Sequence, residues 1–169
     1  MNVEARSNTE NSSLRPDTPI TAKPEASDDS LKQSLLPLIQ TALEMRRRAY
    51  TPYSAFAVGA AIETADGKIF GGCNIENAAY GPTMCAERTA IFKAVSEDHR
   101  AFRRIVIAGG PAGQEPQSFC PPCGSCRQVL AEFCDPDTFE IILTKADGET
   151  ETHTLKELLP LGFTKDALI

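Results

Sequence analysis

Apolar residues first recur at helical spacing over Leu35, Leu38, Ile39, Ala42 and Met45. That stripe predicts a first helix from Leu35 to about Ala49. Ser34 stands where an N-cap belongs, and Pro37 then falls in the first turn, where its missing N–H costs little. Arg46, Arg47 and Arg48 close the helix. Positive charge suits that end of the dipole, so a solvated helix end is the favoured reading and an anion site the alternative. After a loop at Thr51–Ser54, Phe56 to Thr64 reads as a strand. Ala65-Asp66-Gly67-Lys68 is a hairpin turn, and Ile69 to Asn74 is the returning strand. Gly59, Gly71 and Gly72 point to close backbone approach or bulges. A second helix follows from about Met84 to Val95, with Ile91, Ala94 and Val95 towards the sheet. Arg103 to Gly109 is a strongly apolar strand, followed by a polar loop to Phe119. Gly124 to Phe133 predicts a third helix. Glu140 to Thr144 and Glu151 to Thr154 predict two more strands around a turn at Asp147-Gly148. Leu155 to Leu159 predicts a short last helix, with Phe163 in the tail.

Helices and strands in this alternation predict an α/β layered fold: a mixed five-stranded sheet with helices on both faces. The pattern supports the layers and leaves the strand order open. Residues 1–29 are rich in Ser, Thr, Asn, Pro and acids and have no periodicity. Such a segment cannot offset its ordering entropy by burial, so a disordered tail is expected there, with one domain over 30–169.

Composition narrows the classes. With 169 residues, 41% hydrophobic and 24% charged, the chain is an ordinary globular protein able to bury a core. A net charge of −6 disfavours a nucleic-acid partner, since such proteins usually carry a basic patch. No apolar run approaches the ~20 residues of a membrane span. The N-terminal stretch does not read as a secretory signal, and its six acids against Arg6, Arg15 and Lys23 argue against a mitochondrial presequence. A cytoplasmic location is the expectation. There, reducing conditions keep the six cysteines available as thiols rather than as a disulfide framework.

Two stretches carry the chemistry. The first is Pro82-Thr83-Met84-Cys85-Ala86-Glu87-Arg88, at a helix start. The second is Cys120-Pro121-Pro122-Cys123-Gly124-Ser125-Cys126-Arg127. Cys85, Cys123 and Cys126 supply three thiolates. A structural zinc site closes with four protein ligands, whereas a catalytic one keeps a position open. His99 and His153 lie away from both stretches. Glu87, two residues after Cys85, is the carboxylate that a hydrolytic metal site needs to move protons. Cys120-x-x-Cys123 is also a C-x-x-C. The frame Cys123-Gly124-Ser125-Cys126-Arg127-Gln128 favours Cys123 and Cys126, with Cys120 outside the set. Cys73 and Cys134 read as small buried side chains. The thiolates lie at helix N-termini, which favour anionic sulfur.

Cys-Ala-Glu-Arg followed by Pro-Cys-x-x-Cys-Arg-Gln resembles the cytidine deaminases of the small, homotetrameric, free-nucleoside class. The resemblance runs from about Leu35 to the C-terminus. It extends to Pro52-Tyr53-Ser54-Ala55-Phe56 and Asn74-Ile75-Glu76-Asn77-Ala78. It implies a three-layer cytidine deaminase-like fold and one zinc ion per chain on Cys85, Cys123 and Cys126. The implied activity is hydrolytic deamination of cytidine and deoxycytidine in pyrimidine salvage. Glu87 would be the proton carrier and not a zinc ligand, as in zinc deaminases generally. The resemblance further implies that Phe56 packs on the pyrimidine, that Asn74 and Glu76 meet the ribose hydroxyls, and that Ala86 is a substrate contact. Arg88 would hydrogen-bond a thiolate to offset three negative ligands on one dication. Arg127 is a weaker candidate, its alternative being solvent. Tyr80 and Phe163 match positions contributed to a neighbouring subunit of a homotetramer. For each, packing within its own chain is the alternative.

Two rivals remain within the zinc-deaminase chemistry. Polynucleotide-editing deaminases usually place His at the position of Cys85 and need a basic channel, which this acidic chain lacks. Deaminases of nucleoside-like antibiotics typically lack an arginine at the position of Arg88. From another class, a non-catalytic zinc module would have to explain three ligands instead of four, and Glu87 beside them.

Overall fold

The computed structural model describes residues 28–168; of the tail expected over 1–29, residues 1–27 lie outside the described residues, whereas Asp28 and Asp29 belong to the first helix instead. Helix α1 (Asp28–Arg47) is followed by strands β1 (Phe56–Thr64) and β2 (Ile69–Cys73). Then come α2 (Ala86–Ser96), β3 (Phe102–Pro111), α3 (Gly124–Phe133), β4 (Glu140–Thr144), β5 (Thr150–Thr154) and α4 (Leu155–Leu158), with a closing 3₁₀ turn at Lys165–Leu168. The strands form one five-stranded sheet in the order β2-β1-β3-β4-β5. Only β3 and β4 run parallel; β1 pairs antiparallel with both β2 and β3, and β4 with β5. The mixed sheet follows from the connections. Hairpins join β1 to β2 and β4 to β5, whereas β3 reaches β4 through α3, a crossover of the length a parallel pair requires.

Period-2 alternation divides the core. Ala61, Val106, Ala108 and Ile142 point to one face, where they pack with Leu38, Ile39 and Ala42 of α1. Ala60, Ile62, Ile105, Ile107, Ile141 and Leu143 point to the other, beneath α2 and α3. Both faces of the central strands are covered, as their apolar runs require. Gly59 lets α1 sit against the sheet: a Cβ there would stand 2.0 Å from the Ala42 carbonyl oxygen and 2.3 Å from the Arg46 nitrogen. Gly72 does the same for α2, where a Cβ would meet the Ala90 nitrogen at 2.4 Å. These glycines serve close approach; the bulge in the sheet lies elsewhere, between Glu63 and Thr64.

Two features of α1 depart from the expectation. It starts at Asp28, not near Leu35, so Pro37 lies inside the helix. Between Asp28 and Pro37 the sequence holds no glycine or second proline to stop the helix from extending. At the other end, Arg46 is not part of a solvated triplet. It is 6% exposed, and its guanidinium donates to the carbonyls of Ala57 at 3.1 Å and Pro111 at 2.7 Å. Arg47 and Arg48 are exposed, as expected.

Candidate active site

The chain is drawn together at one end of the sheet. After β2, Ile75 exchanges two hydrogen bonds with Met84, at 2.9 and 3.0 Å, and this bridge sets Cys85 at the start of α2. Cys85 and Cys123 are the N-caps of α2 and α3, both with extended backbones. The Cys123 sulfur accepts from the Cys126 amide at 3.4 Å, as a capping side chain does. Two helix N-termini therefore point their unpaired N–H groups at one cluster of sulfurs. Cys85 Sγ lies 3.8 Å from Cys123 Sγ, Cys123 Sγ lies 3.2 Å from Cys126 Sγ, and all three fall within 4.8 Å of one another.

This donor set fits zinc. With Zn–S bonds of ≈ 2.3 Å, the sulfur–sulfur edge of a tetrahedron is about 3.8 Å. Soft thiolates select zinc over hard cations. Hydrogen bonding with Cys126, and then with Arg88, pulls the Cys85 thiol down to about 5, while hydrogen bonding with Cys85 and burial push Cys126 up. Cys120 stands outside the three-sulfur group; burial pushes its thiol up to about 11. All six cysteines are free thiols. Cys134 is buried, but Cys73 is only partly so and rests against the Arg48 carbonyl at 3.6 Å.

Glu87 lies in the first turn of α2 and is 5% exposed. Burial, and then the charge of Cys85, raises its carboxyl above the ordinary range. Arg88 Nη2 donates to Cys85 Sγ at 3.4 Å and to the Thr83 carbonyl at 3.3 Å. Its Nε is buried without a hydrogen-bond partner in the chain. Arg127 goes neither to a thiolate nor to solvent: Nη1 donates to the Leu158 carbonyl at 2.6 Å and ties α3 to α4.

The residues matched to substrate lie at the start of α2, at the start of β1 and in the segment after β2. Ala86, fully buried, is the first residue of α2. Phe56, at the start of β1, is partly exposed and lines a cavity of about 430 Å³ with Gly109, Gly110, Phe119, Cys120 and Pro121. Asn74 is held by the strand beside it: Oδ1 accepts from the Val58 amide at 2.8 Å and Nδ2 donates to the Phe56 carbonyl at 2.9 Å. Glu76 Oε2 accepts from the amides of Tyr53 at 2.9 Å and Ser54 at 3.3 Å. Hydrogen bonds from Ser54 and Tyr53 keep its carboxyl below the usual range. Glu76 lines a second, more open cavity with Tyr53, Ser54, Tyr80 and Thr83. Tyr80 is 77% exposed and meets Tyr53 edge-on, with ring centroids 6.4 Å apart. Phe163 does not pack onto its own core. Its ring is 61% exposed, while its carbonyl accepts from Gln128 Nε2 at 2.6 Å. His99 sits with Asp66 and Lys68, and His153 with Glu151, away from the sulfurs. The sequence reading missed the buried role of Arg46. A signal was present: Arg46 falls four residues after Ala42 on the stripe that faces the sheet.

Residues 32–141 match the family described as the cytidine and deoxycytidylate deaminase zinc-binding region. The chain is 48% identical over 131 residues to a cytidine deaminase of Sporosarcina psychrophila, covering 78% of this chain and 92% of that one. It is 46% identical over 129 residues to the cytidine deaminase of Halalkalibacterium halodurans, covering 76% and 93%. The fold is similar to the crystal structure of cytidine deaminase from Burkholderia pseudomallei, with a TM-score of 0.68 at 45% identity over 75% of this chain and 97% of that one.

Proposed function

The chain belongs to the cytidine and deoxycytidylate deaminase family, and from that membership we infer the reaction and propose a role for each residue of the site. It is a zinc-dependent cytidine deaminase, which hydrolyses cytidine to uridine and ammonia in pyrimidine salvage; deoxycytidine is the second substrate we propose. The observation that carries this reading is the three-sulfur cluster at two helix starts, with the buried Glu87 two residues from Cys85.

Cys85, Cys123 and Cys126 hold the metal. When bound, zinc supplies the positive charge that lowers the pKa of a water from 15.7 towards ~7. Glu87 is the proton carrier. It would take a proton from the attacking water and deliver it to N3 of the pyrimidine as C4 is attacked, then take the proton of the resulting C4 hydroxyl and pass it to the amino group, which leaves as ammonia. Burial raises its carboxyl above the ordinary range, which eases protonation of a carboxylate that must carry protons. Arg88 holds Cys85 and offsets the negative charge of the sulfurs.

Phe56 packs on the base, and Ala86 forms the wall between Cys85 and Glu87. Asn74 and Glu76 meet the ribose. Each Asn74 amide atom has one bond to β1, and a carbonyl oxygen has a second lone pair and an NH₂ a second hydrogen, so both ends keep capacity for a hydroxyl. Glu76 is oriented by two backbone amides and keeps acceptor sites as well.

We further propose a cytoplasmic homotetramer. Free thiols throughout the chain suit a reducing compartment. No helix among the described residues is long and apolar enough to cross a membrane. Tyr80, Phe163 and Leu161, which is 97% exposed, present apolar surface that a neighbouring copy would cover. The test of the reaction is uridine formation from cytidine by the purified protein, beside Glu87→Ala. Turnover that disappears in the variant while zinc is retained supports reaction and proton carrier together. A folded protein with one zinc per chain and no turnover on cytidine or deoxycytidine would overturn the assignment.

A further inference from the structure

Phe56 is held in place with unusual thoroughness for a partly exposed residue at a strand end. The Ser54 hydroxyl accepts from its amide at 3.0 Å, and Asn74 donates to its carbonyl at 2.9 Å. The preceding Ala55 has φ of 53°, a left-handed conformation that residues with a Cβ adopt only when their surroundings enforce it. The enforcement is visible: the Ala55 carbonyl accepts from the Ala112 amide at 2.7 Å, just past the register pair of Phe56 with Pro111.

The Arg46 side chain bridges both strands at this point. Its Nε donates to the carbonyl of Ala57, the neighbour of Phe56, and its Nη2 to the carbonyl of Pro111, the register partner of Phe56. The guanidinium lies directly behind the cavity wall, 3.4 Å from where a Cβ of Gly110 would stand. α1 delivers it there because Gly59 admits the helix backbone to van der Waals contact with β1. A planar guanidinium with fixed donors sets the distance between two carbonyls in a way a flexible ammonium cannot.

We propose that Arg46 is a positioning residue for the deamination: it fixes the ends of β1 and β3 and so aims the Phe56 ring at the base. The inference rests on the reading of Phe56 as the base contact. Arg46 touches neither substrate nor metal ligands in this arrangement. Its removal should therefore weaken nucleoside binding and leave the proton chemistry of Glu87 and the zinc content intact.

A double-mutant cycle on the zinc-loaded protein tests it, with kcat and KM for cytidine measured for Arg46→Gln, Phe56→Ala and the pair. We expect Arg46→Gln to raise KM about tenfold with little change in kcat, the pattern of lost binding, as a misplaced contact does. In the Phe56→Ala background the same change should have almost no further effect, because no ring remains to be aimed. Independent, multiplying effects would overturn the inference. Unchanged KM in Phe56→Ala would instead overturn the base-contact reading and leave the aiming of position 56 to a second measurement. The chain contains no tryptophan, so Phe56→Trp places a sole indole at that position. Adding Arg46→Gln should raise acrylamide quenching of that indole, and equal quenching would overturn the positioning role. If Arg46→Gln does not fold, Arg46→Lys carries both measurements, since an ammonium cannot span both carbonyls in the guanidinium's fixed geometry.

Discussion

Arg88 Nη2 donates to Cys85 Sγ at 3.4 Å, and the guanidinium is held in turn by the Thr83 carbonyl one turn back. The contact joins a thiol of the proposed metal site to a cation three residues further along the chain. Hydrogen bonding of this kind contributes to the lowering of Cys85 to about 5. Removing a residue that supports a metal ligand typically costs 10–100-fold in metal affinity or activity. We therefore expect Arg88→Ala to weaken zinc binding by roughly tenfold or more, read by chelator competition, with kcat/KM falling in parallel. Arg88→Lys should recover only part, because a point charge cannot bond the sulfur and the carbonyl with a fixed fork.

Glu87→Gln separates chemistry from stability. General acid–base groups contribute roughly 10²–10⁴-fold, so kcat should fall by at least that much while zinc stays bound. Burial raises the Glu87 carboxyl in the folded chain above its ordinary 4.5. A group that binds its proton more tightly when folded contributes stability that is fully present below the ordinary value and lost as pH rises through the raised one. In the metal-free protein, Glu87→Gln should therefore have a higher Tm than the parent at pH 7 and an equal one near pH 4. A lower Tm at pH 7 would contradict the burial argument.

Much of the site could be read from the chain because its elements are short and local. Two cysteines three apart at a helix start, and a cysteine followed by Ala-Glu-Arg at another, fix their own geometry once helices form. Exact helix ends were less legible. Pro37 reads as a helix start only if nothing upstream can be helical, and seven residues without a glycine or second proline precede Leu35 from Asp28. For Arg46 the apolar stripe gave the direction of the side chain but not its partners, for a different reason. A charged residue at a helix end is solvated unless backbone carbonyls from elsewhere converge on it. Those of Ala57 and Pro111 come from strands that meet only in the folded sheet. The orientation of Phe163 likewise depends on the tail's path, which no periodicity encodes.

Arg104 on β3 lies between Glu63 of β1 and Glu140 of β4, its register partners on either side. Its Nε is 2.9 Å from Glu63 and 3.5 Å from Glu140, and the arginine is 6% exposed. Removing the cation leaves two carboxylates on neighbouring strands without a partner, one of them largely buried. Breaking a buried pair in this way costs about 3–5 kcal/mol. Arg104→Ala should lower Tm by roughly 10 °C in a domain of this size. Since the pair lies far along β3 from Pro111, KM measured well below the new Tm should stay unchanged.

Cys120 tests the ligand assignment. Its sulfur fills space beside Gly109, where a Cβ would meet it at 2.5 Å, and it is not among the three clustered sulfurs. Cys120→Ser should keep one zinc per chain by atomic absorption, with only a modest loss of Tm from a hydroxyl placed in an apolar site. Cys126→Ser should lose the metal. Loss of zinc in Cys120→Ser would move the pair to Cys120 and Cys123 and displace the open position.

The exposed rings of Tyr80 and Phe163 give the last prediction. Both residues are largely exposed, with Tyr80 meeting Tyr53 edge-on, although the backbone of each is fixed: the Tyr80 carbonyl accepts from Thr83, and the Phe163 carbonyl from Gln128. A pinned backbone with a bare aromatic ring is what an interface anchor looks like before its partner arrives, and such anchors account for most of the binding energy of an interface. For the homotetramer proposed above, Phe163→Asp should lower the mass seen in light scattering and cost at least 2 kcal/mol of association, about thirtyfold in the dissociation constant. If a neighbour's Phe163 also completes the nucleoside pocket, KM should rise at concentrations where the assembly is still whole. An unchanged mass and an unchanged KM together would show that the ring faces solvent in the working enzyme.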